Sequence, residues 1–438
     1  MGYRLTRQDL LRDLYVAFYD ARRHKAKMSY VHHFEHGLKD NIDRLCDALL
    51  QRNYTPEPSK CFVVDFPKKR EIFSAGFADR VVHHLYYNYT HEMFERTFIA
   101  DTYSCIKGRG THYGISRMIS HIRQESDNWK RPCYILKLDI KGYFMHIDRQ
   151  RLLDIATASI RSMSTHKVSK GRAETWADVI DIDFVHWLTK IIVMLDPKKD
   201  CVITGYRSDW NGLDKNKSLF FSEDGCGLPI GNLTSQLFSN VYLNILDQWM
   251  KRELGCRHYG RYVDDFYVVN SDRDWLLSII PKTDRLLKER LGLDLHHGKL
   301  MVCDARRGVE FLGAYIKPFR TYISNSSLQR IRQNVATTDC HNREKAFRTV
   351  NSYLGLMSHY SSYNIRRELF CKDRFYDIGY YDRDMTKITV NHLNLNSEDY
   401  EQNVWTKKRF YSRQGGYKPY HRQLWHGASA QHRVCHMA

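Results

Sequence analysis

No stretch of the 438-residue chain approaches the about 20 consecutive apolar residues that a membrane helix needs, so no bilayer span is expected. The opening "MGYRLTRQDLLRDLY" is charged throughout, which argues against a signal peptide and for a cytoplasmic protein. The 11 cysteines are scattered singly without a C-x-x-C pair. That excludes a zinc knuckle or a dithiol redox motif and leaves reduced thiols as the expectation. Neither a Gly-rich dinucleotide fingerprint nor a P-loop occurs, and no internal repeat is visible. The paired histidines at 32–33, 83–84 and 296–297 lack metal-ligand spacing on a shared helix face. Acid is in short supply: 50 Asp and Glu face 68 Lys and Arg, for a net charge of +18. Such an excess suits a polyanionic partner, nucleic acid first.

What is present reads as a mixed α+β chain. Helix-period apolar residues run through 6–24 and 35–51, and "DRVVHHLYYNYTHEMF" from Asp79 reads as a buried helix. "SKCFVVDFPKKREIF" reads as two strands around a basic turn. Residues 133–140, "CYILKLDI", form a strand with Asp139 near its end, and Asp148 caps the helix that follows. Helices are expected at 183–194, 234–254 and 274–291, strands at 309–324, and helices through 327–372. From 401 onward seven Lys or Arg, four His and six aromatics stand against one acid, in a candidate mobile tail.

The chemistry concentrates in "YGRYVDDFYVV", residues 259–269, where two carboxylates sit side by side between β-prone runs. An Asp-Asp pair alone is commonplace. Inside an apolar hairpin it is not, because crowded carboxylates repel and raise each other's pKa unless a cation sits between them. A divalent metal resolves the repulsion, and hard oxygen ligands select Mg²⁺. Two-metal phosphoryl transfer needs acidic ligands around ions about 4 Å apart. Asp139, ending an apolar strand that needs no charge, is the natural third carboxylate beside Asp264 and Asp265.

"KLDIKGYFMHID", "GLPIGNLTSQLFSNVYLNILD", "RYVDDFYVV", "LHHGKL" and "GVEFLGAYI" occur in the order of reverse transcriptase motifs, and the chain resembles that family over roughly 60–320. The resemblance implies a right-hand polymerase. Its parts would be a helical N-terminal extension at 1–55, fingers at 56–135 and a palm at 136–308 with a finger insertion around 155–226. Primer grip and helical thumb would follow at 309–400, and the basic aromatic tail at 401–438. It implies two Mg²⁺ ions, with Mn²⁺ as a substitute, on Asp139, Asp264, Asp265 and the carbonyl of Ile140. Phe144 matches the ring that excludes a ribose 2′-OH, a position that equally suits a core aromatic. Lys68, Arg70 and Arg80 match triphosphate-binding cations, with Lys69 beside them in the same turn. Lys299 matches the lysine that assists pyrophosphate departure, and Phe311, Leu312 and Gly313 look like the primer grip.

Where most of the family has Gln-Gly and then Ser-Pro, this chain has Ile230-Gly231 and then Ser235-Gln236. That departure, with "GLPIGNLTSQ" and "VNSYLGLMSHY", is similar to the reverse transcriptases of diversity-generating retroelements. Those enzymes copy a template RNA into cDNA with errors at template adenines and work with a basic accessory protein. Ile230, Gly231 and Gln236 would line the nucleotide site. The expected partners are template RNA, an RNA or DNA primer end and dNTPs. Antiphage-defence reverse transcriptases have similarly altered motifs and stand as the alternative. A nucleotide cyclase and a catalytically inactive RNA-binding module on the same fold are further readings, against which the basic turn and the intact acids respectively argue.

Overall fold

The computed structural model describes residues 2–390 except 67, 170, 172 and 377, so the tail at 401–438 lies outside the described residues. The chain divides into two compact units, the first reaching Val302 and the second beginning at Cys303. The division falls within a strand, ahead of the boundary expected at 308.

The first unit opens with helices α1 (Arg7–Arg22), α2 (Ser29–His36) and α3 (Leu38–Leu50). The helix expected from residue 35 begins instead at Leu38, because Gly37 ends α2 and starts α3. A hairpin follows, β1 (Ser59–Val64) and β2 (Arg70–Ser74), and then the long buried helix α4 (Phe77–Glu95). Helix α5 (Thr111–Glu125), not anticipated, buries Ile115, Met118 and Ile122 at helical spacing. Strand β3 (Tyr134–Asp139) leads through the single turn α6 (Tyr143–His146) into α7 (Arg149–Ser164), which Asp148 caps by accepting from the Arg151 N–H at 3.0 Å. Helices α8 (Trp176–Val179) and α9 (Ile182–Met194) precede β4 (Cys201–Ile203), which lies parallel to β1. Helix α10 (Leu233–Gln248) ends in a wide π turn, and so does α11 (Arg273–Leu286). Between them lie β5 (His258–Tyr262) and β6 (Asp265–Asn270).

Strands β5, β6 and β3 lie side by side in a four-stranded sheet, which β7 (Met301–Asp304) completes beyond β3. Alternation along β6 sends its side chains to two destinations. Phe266 and Val268 enter the main core, while Tyr267 meets His121 of α5 at 3.0 Å and Tyr103 at 2.9 Å. With both faces covered, strand β6 buries four successive residues.

The β1–β2 hairpin is tied down by a buried acid. Glu71 of β2, 1% exposed, accepts from Trp210 Nε1 (2.7 Å), Ser218 Oγ (2.7 Å) and the Leu219 N–H (2.6 Å). Three donors satisfy the carboxylate, which has no cationic partner among the described residues, and they fix the 201–221 connection against β2.

The second unit, described to residue 390, holds strands β8 (Val309–Phe311), β9 (Ala314–Lys317) and β10 (Arg320–Ile323) and helices α12 (Asn325–Ala336), α13 (Arg343–Ser358) and α14 (Tyr363–Phe370). A short helix and a strand pair close it, α15 (Asp373–Tyr376), β11 (Gly379–Tyr381) and β12 (Ile388–Val390). Its own core gathers Ile331, Val335, Val350, Leu354 and Phe370. Among the described residues no helix is long and apolar enough to cross a membrane, and ten cysteines are free thiols.

Gly260 in β5 leaves no room for a side chain, because a methyl there would overlap the buried Tyr103 hydroxyl. Gly260→Ala is expected to lower stability by about 1–3 kcal/mol through overpacking, read as a shifted denaturation midpoint. An unchanged midpoint would contradict this close approach.

Candidate active site

Register brings distant acids together. In the β3–β6 ladder Asp139 pairs with Asp265, and in the β5–β6 hairpin Tyr262 also pairs with Asp265. Val263 and Asp264 therefore form a two-residue turn at the end of the sheet. Such turns favour Gly or Asn, because one or both residues need positive φ. Here Val263 has φ +55°, a conformation that costs a β-branched residue on the order of 1–3 kcal/mol. Both of its backbone groups are held: its N–H donates to Ser104 Oγ (3.1 Å), and its carbonyl accepts from Arg261 Nη1 (2.8 Å).

Three lysines attend the carboxylates. Lys299 Nζ donates to both oxygens of Asp139 at 2.9 Å. Lys137, two residues before Asp139 on β3, lies 3.8 Å from Asp265. Lys68, in the turn between β1 and β2, is near enough to draw the Asp265 pKa down in part. Even so, both hairpin acids are held above the usual carboxylate range. Asp264 is pushed up to about 6, first by burial and then by the charges of Asp139 and Asp265. Asp265 is raised chiefly by burial, which Lys137 partly offsets.

Among the described residues no group of three His, Cys, Asp or Glu side chains is already arranged to hold a metal ion. Asp139, the third acid expected there, is ion-paired to the Lys299 ammonium. The donor set still suits a hard divalent cation. All its side-chain donors are carboxylate oxygens, and burial disfavours the charged form of two of the three acids, which a bound cation would restore. Beside them, Ile140 bridges Leu295 through bonds from Lys141 N–H to Asp294 and from His296 N–H to Asp139, neither of which uses the Ile140 carbonyl.

Phe144 and Ile230 pack against one small apolar cluster of Cys61, Phe73, Met145 and Leu219. The Ile230 carbonyl accepts from the Phe73 N–H at 2.9 Å. Gly231, at φ +126°, lies so close to β2 that a Cβ would stand 2.9 Å from the Phe73 carbonyl. Gln236, in the first turn of α10, is half-buried. In the turn between β1 and β2, Lys68 is exposed and Arg70 half-buried. Lys69 instead donates to the Asp209 and Asn211 carbonyls at 2.9 and 2.8 Å. Arg80 is engaged within the fold: it donates to the Ala75 carbonyl (3.0 Å), the Ser74 hydroxyl and the Tyr30 hydroxyl. In the second unit Phe311 is buried, and Leu312 and Gly313 form a two-residue turn with φ +49° and +80°, the signature of type I′.

Sequence reasoning missed Lys137, Ser104, Asp247 and Arg261. Lys137 carried a signal, a cation two places from Asp139 on the same strand face. The others are joined only by tertiary contact.

A family model described as reverse transcriptase (RNA-dependent DNA polymerase) matches residues 68–316, more than half of the chain. Among solved structures the chain is similar to apo telomerase from Candida tropicalis, at 13% identity and TM-score 0.44, over 73% of this chain and 57% of that one. It is also similar to telomerase from Candida albicans in complex with a fragment of telomeric RNA, at 10% identity and TM-score 0.45, over 82% and 60%. The chain thus spans less than two thirds of these relatives' length. No curated protein matches it.

The Asp264 shift has a defined consequence for stability. Its folded pKa of about 6 lies above the ordinary 3.8, so the folded chain binds this proton more tightly. The associated stability is fully present below pH 3.8 and is lost as pH rises through about 6. In metal-free buffer at pH 7.5, Asp264→Asn is expected to be more stable than the parent by on the order of 1–2 kcal/mol. The gap should close toward pH 4; thermal denaturation across this range checks it, and a less stable variant at pH 7.5 contradicts it.

Proposed function

The chain belongs to the reverse transcriptase (RNA-dependent DNA polymerase) family, and we propose that it copies a template RNA into cDNA at the Asp139–Asp264–Asp265 corner. The observation that carries this is the register of β3 with β6, which sets Asp139 opposite Asp265 inside the family-matched region. In the reaction the primer's 3′ oxygen bonds to the α-phosphorus of a dNTP, the bond to the bridging oxygen breaks, and pyrophosphate leaves.

Two Mg²⁺ ions, with Mn²⁺ as a substitute, would be held by the three carboxylates and the Ile140 carbonyl, and would supply the charge that activates the hydroxyl and neutralises the triphosphate. The remaining work belongs to side chains. Lys68 and Arg70 meet the triphosphate from the finger turn. Arg80 braces the end of β2, the strand that carries Arg70. Phe144 stands against a 2′-hydroxyl, so deoxynucleotides are preferred by exclusion. Lys299, released from Asp139, donates its proton to the departing pyrophosphate. Phe311, Leu312 and Gly313 act on the primer as its grip.

The finer reading is an error-prone enzyme of a diversity-generating retroelement, working in the cytoplasm with a basic accessory protein. Support comes from Ile230, an apolar side chain that packs against the same small cluster as Phe144, where the family pattern has glutamine. A glutamine amide can hydrogen-bond near the nascent pair. Isoleucine offers no donor or acceptor, so geometric checking is loosened there.

Primer extension with Mg²⁺ on an RNA template tests the polymerase. Asp139→Ala, Asp264→Ala and Asp265→Ala should each abolish dNTP incorporation while leaving RNA affinity within about threefold. Affinity itself should fall steeply with salt, as phosphate contacts release counterions. Incorporation surviving all three substitutions would sink the assignment.

Sequencing cDNA made on co-purified RNA tests the finer reading. Errors concentrated at template adenines, and reduced several-fold by Ile230→Gln, are expected. Uniform errors would favour antiphage defence instead.

A further inference from the structure

We infer that the buried Arg261–Asp247 pair is a positioning device for nucleotidyl transfer, locking the Val263 peptide in its left-handed turn and so fixing where Asp264 presents its carboxylate. The inference rests on the polymerase reading above.

The turn needs a restraint. Val263 occupies a position of a two-residue hairpin where glycine would be unstrained, and Asp264 is its immediate neighbour. Released, the turn would relax toward negative φ and carry the Asp264 carboxylate with it. What resists is a charged network sunk beneath the hairpin. Arg261 and Asp247 are both fully buried. They join through two parallel bonds, Nε to Oδ1 at 2.7 Å and Nη2 to Oδ2 at 2.6 Å. That fork leaves Nη1 to reach the Val263 carbonyl at 2.8 Å.

The anchor is fixed from two further sides. Asp247 also accepts from Tyr259 Oη (2.6 Å) and Thr102 Oγ1 (2.8 Å). Asn240, two helical turns before it on α10, accepts from Arg261 Nη1 and from Ser104 Oγ at 3.3 Å. Ser104 Oγ in turn accepts the Val263 N–H. Both backbone polar groups of one strained residue thus end on the same helix.

Stability alone does not account for this choice of residues. A buried ion pair loses so much hydration that an apolar pair of similar size is commonly as stable. An apolar pair cannot donate to the Val263 carbonyl. Lysine lacks the planar fork that grips Asp247 and reaches the turn at once.

The test compares Arg261→Met/Asp247→Asn, Ser104→Ala and the parent, each with and without Val263→Gly. Glycine is indifferent to the sign of φ, so it removes the need for restraint without restoring the pair. In primer extension, Arg261→Met/Asp247→Asn should lower kcat by 30-fold or more with KM for dNTP within threefold. Adding Val263→Gly should recover at least tenfold in kcat while the Tm stays low. Ser104→Ala leaves the ion pair intact and should lower kcat about fivefold, so the inference is exposed even if the double variant does not fold.

Hydrogen exchange in peptide 259–269 gives a readout independent of activity. It should accelerate at the turn in both variants while β3 keeps its protection. Unchanged exchange at the turn, or a kcat loss that Val263→Gly cannot relieve, overturns the inference. An inactive parent that still shows the accelerated exchange in the variants would count against the polymerase reading and in favour of the restraint.

Discussion

Negative charge crowded at the end of an antiparallel ladder is the condition around which the first unit is arranged. Asp139 and Asp265 are forced together by register, and Asp264 is added by the turn. Nothing in β-sheet geometry favours this; like charges directly opposite destabilise a strand pair. The arrangement persists because lysines come to it from three parts of the chain and because the turn that carries Asp264 is held from beneath.

The rest of the unit can be read as support for that crowding. The hairpin of β1 and β2 brings Lys68 within electrostatic reach of Asp265, and Glu71 moors the same hairpin to the 201–221 connection. Helix α10 supplies Asn240 and Asp247 below the turn and, ahead of its first residue, the Ile230–Gly231 segment against β2. One helix therefore links the polar anchor of the carboxylates to the apolar floor beside Phe144.

Much of this was legible in the chain. The three acids, the strand ending in Asp139 and the hairpin around Asp264 announce themselves, because a charge in an apolar β-run has few bland explanations. Helices such as α1, α4 and α10 were equally plain. What escaped did so for physical reasons. Val263 is a poor turn former, so nothing local marks it as the residue with positive φ. Arg261 and Asp247 lie on different elements, and a single sequence does not announce such pairing. Glu71 looks like any solvated acid beside a basic turn until the 201–221 connection folds over it. Helix α5 was overlooked although its apolar spacing was present, and β4 is too short to carry a period.

Lys299 gives the corner a built-in counterion. Its ammonium is a counterion tethered to the main chain three residues beyond His296, whose N–H already bonds the Asp139 carbonyl. A positive charge is thus built into the chain at the one acid of the three that β3 supplies, held there by a tether only a few residues long.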